Sequence, residues 1–378
     1  MRYRYSAGEN GKLIKKAEIY TRDEHGINFA DVDSEAVSII RKLRGAGHDT
    51  YVVGGAVRDL ILGKKPKDFD IVSTASPLKI RKVFKNSRII GRRFRLVHVY
   101  FGERVFEVAT FRSLQDGNTG NTFGTMDDDV FRRDFTMNAL FYDPEQQIVV
   151  DYVGGMRDIR KKIVKPVIPI AQIFTEDPVR MIRAVKYAAA TGFSLPMNLR
   201  MKIHKQSKLL TSISPSRLTE EILKIIHSKQ AAAIVEQLDK TGLYCYLQPE
   251  AVKLMRKNAG FKQNYLRTMA SLNGVEEYSG QALGALFYDY LEASFDWKSG
   301  TIENYKDIYQ TVRSFVLPMN PPRFELQRAF RKFLASYGII TKRQHIERLK
   351  PERETGENGV KRKRKRRRRA PASPDQKA

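Results

Sequence analysis

The chain has 378 residues, enough for two or three structural units rather than one. It carries 68 lysines and arginines against 42 aspartates and glutamates, a formal charge of +26, and 42% of its residues are hydrophobic. Apolar material for a core is therefore present, wholesale disorder is excluded, and the charge points to a polyanionic partner, because each neutralised phosphate releases a counterion. The single cysteine, Cys245, excludes an internal disulfide framework and a four-thiolate zinc site, and fits a reducing compartment. No apolar run approaches the roughly 18 residues of a membrane span. Met1-Arg-Tyr-Arg-Tyr-Ser lacks the apolar stretch of a secretory leader, so the expected location is cytoplasmic.

Residues 1–31 are polar, contain Gly8, Gly11 and Gly26, and show no sustained period; they are expected to form an N-terminal arm. Asp33 or Ser34 then caps a helix whose stripe is Ala36, Val37, Ile39, Ile40 and Leu43. Tyr51–Val53 is a short strand, broken by Gly54-Gly55, and Val57–Leu62 forms one or two helical turns closed by Gly63. Phe69, Ile71 and Val72 mark a second strand. Phe94–Phe101 and Val105–Thr110, joined by Gly102-Glu103, form a hairpin.

From Thr175 onward helical spacing replaces the strands, in Val179–Ala190, Pro215–Ile226, Ala231–Thr241, Gly280–Ala293 and Arg323–Tyr337. Ordered structure is expected to stop near Leu349. The last stretch holds nine consecutive cations, Lys361, Arg362, Lys363, Arg364, Lys365, Arg366, Arg367, Arg368 and Arg369, with nothing apolar to bury. Without them 59 basic residues still face 42 acidic ones, so the folded part is itself basic. The tail reads as an RNA-backbone contact, with targeting, a membrane surface or solubility as its plainer uses.

The chemistry is carried by carboxylates. In Lys67-Asp68-Phe69-Asp70-Ile71-Val72, two aspartates stand two residues apart in a strand, so both leave the same face, their Cα atoms roughly 6 to 7 Å apart. Such a pair can hold divalent cations while phosphates and water fill the remaining positions; an Asp-x-Asp is also what many solvated strand ends contain. Upstream, Val53-Gly54-Gly55-Ala56-Val57-Arg58-Asp59 joins a strand to a helix through paired glycines, which let backbone N–H groups approach a phosphate. Arg58 can reach the same anion. An ordinary strand-to-helix turn explains the glycines but not the cation and the aspartate pair together. Glu107 shares a strand face with Val105 and Ala109, where an unpaired charge is costly, so a metal or an arginine is expected opposite it. Asp134, between Arg133 and Phe135 and held ionised by Arg132 and Arg133, is the rival third acid. Either could equally be an ion-pair partner.

In this order the segments VVGGAVRD (52–59), KDFDIV (67–72), EVATFR (107–112), RRDFTMNAL (132–140) and EDPVRMIRA (176–184) resemble the class II nucleotidyltransferases, the family of the bacterial poly(A) polymerases and the CCA-adding tRNA nucleotidyltransferases. The resemblance covers about residues 24–225. It implies an α+β fold: a nucleotidyltransferase head with a small mixed sheet, then an all-α neck and body. The expected divisions are an arm at 1–31, the catalytic head at 32–160, a neck carrying the base-reading helix at 161–228, a body at 229–348 and a basic tail at 349–378.

The resemblance also implies roles. Asp68 and Asp70 resemble the metal ligands; Gly54, Gly55 and Arg58 resemble the triphosphate cradle; Asp134 resembles the further essential acid, with Glu107 at the position of an additional one. Arg112, Arg133 and Asn138 resemble nucleotide contacts. Asp177, Arg180 and Arg183 lie on the helix with which the family reads the incoming base, the two arginines sharing a face; Asp177 and Pro178 equally suit a helix cap and first position. The implied reaction is attack of an RNA 3′-hydroxyl on the α-phosphorus of ATP, with Mg²⁺ or Mn²⁺ as the cation. Ile89–Val99, with Arg92, Arg93 and Arg95 as RNA contacts, and the basic tail resemble the polymerases. The loop between Arg112 and Arg132 is shorter than in some polymerases, and in the family such a loop can govern the change from CTP to ATP, so CCA addition is the alternative. A catalytically silent RNA-binding protein is the reading from another class. Aromatics of the second half such as Tyr265, Tyr288 and Trp297 read as core, and His98 as a packed strand residue.

Overall fold

The computed structural model describes residues 2–7, 13–91, 96–113, 123–272, 280–295, 297 and 305–339. Arg92, Arg93, Arg95 and the cationic run 361–369 lie outside the described residues. Nine strands form one mixed sheet: β1 (Arg2–Ala7), β2 (Leu13–Tyr20), β3 (Thr50–Val53), β4 (Asp70–Ser73), β5 (Ser87–Ile90), β6 (Leu96–Phe101), β7 (Arg104–Thr110), β8 (Leu140–Asp143) and β9 (Ile148–Asp151), in the order β1-β2-β9-β8-β3-β4-β7-β6-β5. Neighbours are antiparallel except β4 and β7, which run parallel with Ile71 opposite Val108. The expected α+β architecture is present. One expectation is corrected: residues 1–31 are not a separate arm, because β2 pairs with β9 and extends the sheet with the β1–β2 hairpin.

The sheet separates two apolar layers. On one side Val52, Ile71, Val97, Val99 and Val108 pack under the helices Ser34–Gly45 and Pro77–Val83 in a core that continues through the helical half. Asp33 caps the first of these helices, accepting from the N–H groups of Glu35 and Ala36. On the other side Val53, Val72, Phe111, Phe141 and Val150 form a smaller cluster under one short helix, Met126–Phe131. This side is the floor of the cleft.

The helical half agrees with the periodicity at Val179–Thr191, Pro215–Ile226, Ala231–Lys240 and Arg323–Ser336. One long helix expected at 280–293 is two, Gly280–Gly284 and Tyr288–Ser294. Phe287 leaves helical geometry at φ −135°, and the Tyr288 ring lies against Gly284 so closely that a Cβ there would stand 2.1 Å from it. Tyr265 and Trp297 are core residues. Among the described residues no helix is long and apolar enough to cross a membrane.

Candidate active site

β4 begins at Asp70, so Asp68 lies on the approach to the strand rather than inside it. The alternation still holds: Phe69 is buried, and Asp68 and Asp70 are exposed on either side of it. Antiparallel pairing puts Asp70 opposite Val53 and therefore beside the Gly54 turn. Gly54 has φ +72°, a conformation that costs glycine little, and a Cβ placed on it would stand 3.7 Å from Asp70 Oδ2 and 3.6 Å from Arg133 Nη1. The parallel β4–β7 register brings Glu107 alongside. Asp70 reaches water but stands on the cleft floor with protein around it. Burial first, and then the charge of Glu107, push its carboxyl up to about 6, with Arg133 opposing and Asp68 adding to the rise.

Glu107 corrects a second expectation. The face it shares with Val105 and Ala109 is the open one, and the residues turned into the core are Phe106, Val108 and Thr110. Its cross-strand neighbour is His98, whose Nε2 lies 3.5 Å from Glu107 Oε1. His98 is accordingly only partly buried.

Asp134 is buried, at 5% exposure. Its Oδ1 accepts from Phe135 N at 2.8 Å and from Asn138 Nδ2 at 3.2 Å, and its Oδ2 lies 2.9 Å from Arg183 Nη2. The cation that faces it is thus Arg183 from the helix Val179–Thr191, not its chain neighbours. Arg132 donates to Ser113 O, and Arg133 to Asp129 and to Asn138 O. Asn138 in turn accepts from Arg58 Nη1 at 2.8 Å, and Arg58 also holds Asp59. A chain of contacts therefore runs from the glycine turn through Arg58, Asn138 and Asp134 to Arg183 and the Tyr187 hydroxyl.

Asp177 and Arg180 stand on the opposite wall. Asp177 accepts from Val179 N at 3.2 Å, as a cap does, although the helix proper starts one residue later than expected. Its carboxylate also receives Arg217 from the helix Pro215–Ile226. Arg180, 3% exposed, holds Glu176 and the carbonyl of Arg132.

Asp70, Glu107, Asp129, Asp134 and Asp177 line a cleft of about 700 Å³ together with eight cations, Arg58, Arg112, Arg132, Arg133, Arg180, Arg183, Lys186 and Lys224, whereas Asp68 is not among its lining residues. That volume suits a nucleotide. Asp129, Lys186, Tyr187 and Lys224 line it without having been singled out from the sequence. Lys186 and Tyr187 follow Arg183 by three and four residues, so helical spacing carries a signal for them. Lys186 is buried against Glu221, whose carboxyl is held below its usual range: burial opposes this, but Lys186 and Arg183 outweigh it. Lys224, at the rim, had no such signal.

The family described as "Poly A polymerase head domain" matches residues 50–165, and "Probable RNA and SrmB- binding site of polymerase A" matches 192–255. Poly(A) polymerase I of Salmonella typhi is 38% identical over 256 residues, which are 64% of this chain and 55% of that protein. The CCA-adding enzyme of Geobacillus stearothermophilus is 37% identical over 221 residues, 56% of this chain and 54% of that one. The chain thus spans little more than half the length of these curated relatives. The crystal structure of the Bacillus stearothermophilus CCA-adding enzyme in complex with CTP matches with a TM-score of 0.57 at 28% identity, covering 83% of this chain and 86% of that one.

Proposed function

We propose, for a chain that belongs to the nucleotidyltransferase family of the bacterial poly(A) polymerases and CCA-adding enzymes, that it adds AMP from ATP to RNA 3′ ends. The observation that carries this reading is the position of Asp70: a carboxylate of raised proton affinity beside Glu107 and Asp68, at a glycine turn, under a wall of arginines.

In this proposal the amides of Gly54 and Gly55, with Arg58, Arg112, Arg133, Lys186 and Lys224, hold the triphosphate, and Asp134 and Asn138 keep Arg58 and Arg183 in place around it. The primer hydroxyl oxygen bonds to the α-phosphorus, the bond to the β-phosphate oxygen breaks, pyrophosphate leaves, and the hydroxyl proton passes to solvent or a cleft carboxylate. Placement and charge neutralisation supply most of the acceleration. Asp177 and Arg180, one an acceptor and one a donor, face the base edge.

Asp68 and Asp70 would hold the divalent cation, Mg²⁺ or Mn²⁺. They fit one: both are oxygen donors, and the repulsion of Asp68 and Glu107 on Asp70 is what a 2+ ion relieves. Among the described residues no three ligating side chains converge on one point, so phosphate oxygens and water would have to supply the remaining donors. When bound, such an ion offsets the charge on the attacking and leaving oxygens. A cytoplasmic setting goes with the lone thiol of Cys245.

Extension of the purified protein's substrates tests the reading: ATP or CTP offered with oligo(A) and with tRNA lacking its CCA end. ATP-only tails on oligo(A) support it. Addition of C, C and A that stops on tRNA establishes the second reading, CCA addition, which the likeness to the CTP-bound neighbour favours.

A further inference from the structure

We propose that the β1–β2 hairpin is a stacking platform for single-stranded RNA, engaging the primer roughly seven nucleotides upstream of its 3′ end. The inference rests on the reading of the cleft as an RNA 3′-end site.

The hairpin puts an unusual surface at the edge of the sheet. Arg2, Tyr3, Arg4 and Tyr5 are all exposed, the two tyrosines at 39% and 52%. Their rings meet edge to face with centroids 6.2 Å apart, and Lys15 Nζ lies 3.9 Å above the Tyr3 ring. Lys16 adds a further cation; the nearby acids include Glu18, which holds Lys15, Asp127, which holds Lys16, and Asp49 in the depression beside Arg4 and Tyr5. Exposed aromatic faces interleaved with cations are what a nucleic-acid strand recognises, the ring by stacking on a base and the cation on the phosphate beside it. A second protein strand is the poorer occupant, since arginine and lysine along an edge oppose strand-to-strand pairing.

Location makes the surface relevant to the cleft. Arg4 Nη1 reaches Tyr152 OH at 3.4 Å and Met126 Sδ at 3.6 Å, and Lys16 Nζ lies 3.2 Å from Asp127, so the hairpin is seated on the first turn of the helix Met126–Phe131. Arg4, Tyr5 and Lys16 line a depression of about 390 Å³ with that turn. The same helix presents Asp129 to the active-site cleft, followed by Arg132 and Arg133. β1 stands five strands from β4 in the sheet, about 24 Å at about 4.8 Å per strand, the rise of roughly seven stacked nucleotides at about 3.4 Å each. An RNA with its 3′ end beside Asp70 thus reaches the hairpin roughly seven nucleotides upstream.

The experiment compares the full-length protein with Tyr3→Ala/Tyr5→Ala and Tyr3→Phe/Tyr5→Phe, binding labelled oligo(A) of about twenty and about four nucleotides without ATP or added metal, over a range of salt. The alanine pair is expected to weaken the longer oligonucleotide about ten-fold or more, with the slope of log K against log salt unchanged, and the phenylalanine pair to keep wild-type affinity. The advantage of the longer primer in KM should shrink for the alanine pair alone. Equal affinity in all three proteins overturns the proposal, as does a phenylalanine pair as weak as the alanine pair, or loss of self-association in sedimentation with RNA affinity unchanged. Tyrosine-dependent binding by a wild-type protein that adds no nucleotide upholds the platform and sinks the activity assigned to the cleft.

Discussion

Arg217 donates from one guanidinium nitrogen to both carboxylate oxygens of Asp177, at 2.9 and 2.8 Å, tying the helix Pro215–Ile226 to the wall where the nucleotide base is proposed to lie. Asp177 is mostly covered and Arg217 is half exposed. The pair is therefore worth little to global stability, less than about 1 kcal/mol, and its effect is to orient one acceptor. Arg217→Ala should leave the unfolding midpoint nearly unchanged while raising the KM for ATP several-fold and narrowing discrimination against CTP; Arg217→Lys should recover part of both. Steady-state kinetics with each nucleotide decide it, and unchanged discrimination would remove Arg217 from the base-reading wall.

Asp134 is a different case, because its carboxylate is buried against Arg183. Asp134→Ala leaves that guanidinium without its partner and frees Asn138, which holds Arg58. Arg183 keeps the Tyr187 hydroxyl and has about a third of its side chain exposed, so the cost is below that of a fully buried pair, about 1 to 3 kcal/mol. Urea unfolding of the variant is expected to show a loss of that order, together with a fall in nucleotide addition that persists at saturating ATP.

Asp70 predicts a pH dependence. Its carboxyl sits near 6 in the folded chain against about 3.9 when unfolded, so the folded form holds the proton more tightly. The cost of ionising it is absent below about pH 4, grows as pH climbs towards about 6, and persists above. Metal-free protein should lose stability across that window relative to Asp70→Asn, the difference between the two curves growing from about pH 4 to about pH 6 and then levelling. At neutral pH Mg²⁺ or Mn²⁺ should raise the Tm of the wild type more than that of the variant. Parallel curves would show that Asp70 is an ordinary solvated carboxylate.

The run Lys361–Arg369 predicts a salt effect. Its deletion should weaken RNA binding at low salt and reduce the slope of log K against log salt, by about 0.7 for every phosphate that the run neutralises. The fold, read by circular dichroism and Tm, should not change. An unaltered slope would assign the cations to another partner.

Much of the cleft is legible in the sequence, for local reasons. Gly54-Gly55 marks a turn because its backbone needs glycine, Asp68 and Asp70 flank one core residue by strand alternation, and Pro215–Ile226 follows its apolar stripe residue by residue. What escapes a reading of the sequence depends on distant pairing. Arg-Tyr-Arg-Tyr carries no apolar alternation, so β1 is visible only through β2 and its partner β9. The face of β7 that meets solvent is likewise set by the neighbouring strands, and parity alone cannot say on which side Glu107 stands. For Asp134 the nearest cations in sequence are Arg132 and Arg133, whereas the buried pair is made with Arg183, 49 positions along the chain.

Asp68 and Asp70 are proposed to direct nucleotide transfer at this cleft. The most direct measurement is pyrophosphate release from ATP with oligo(A) and Mg²⁺, for the wild type and for Asp68→Ala and Asp70→Ala, each shown to be folded and to bind oligo(A). The wild type should release pyrophosphate, and both variants should lose at least about a thousand-fold of that rate. Release by either variant near the wild-type rate would contradict it.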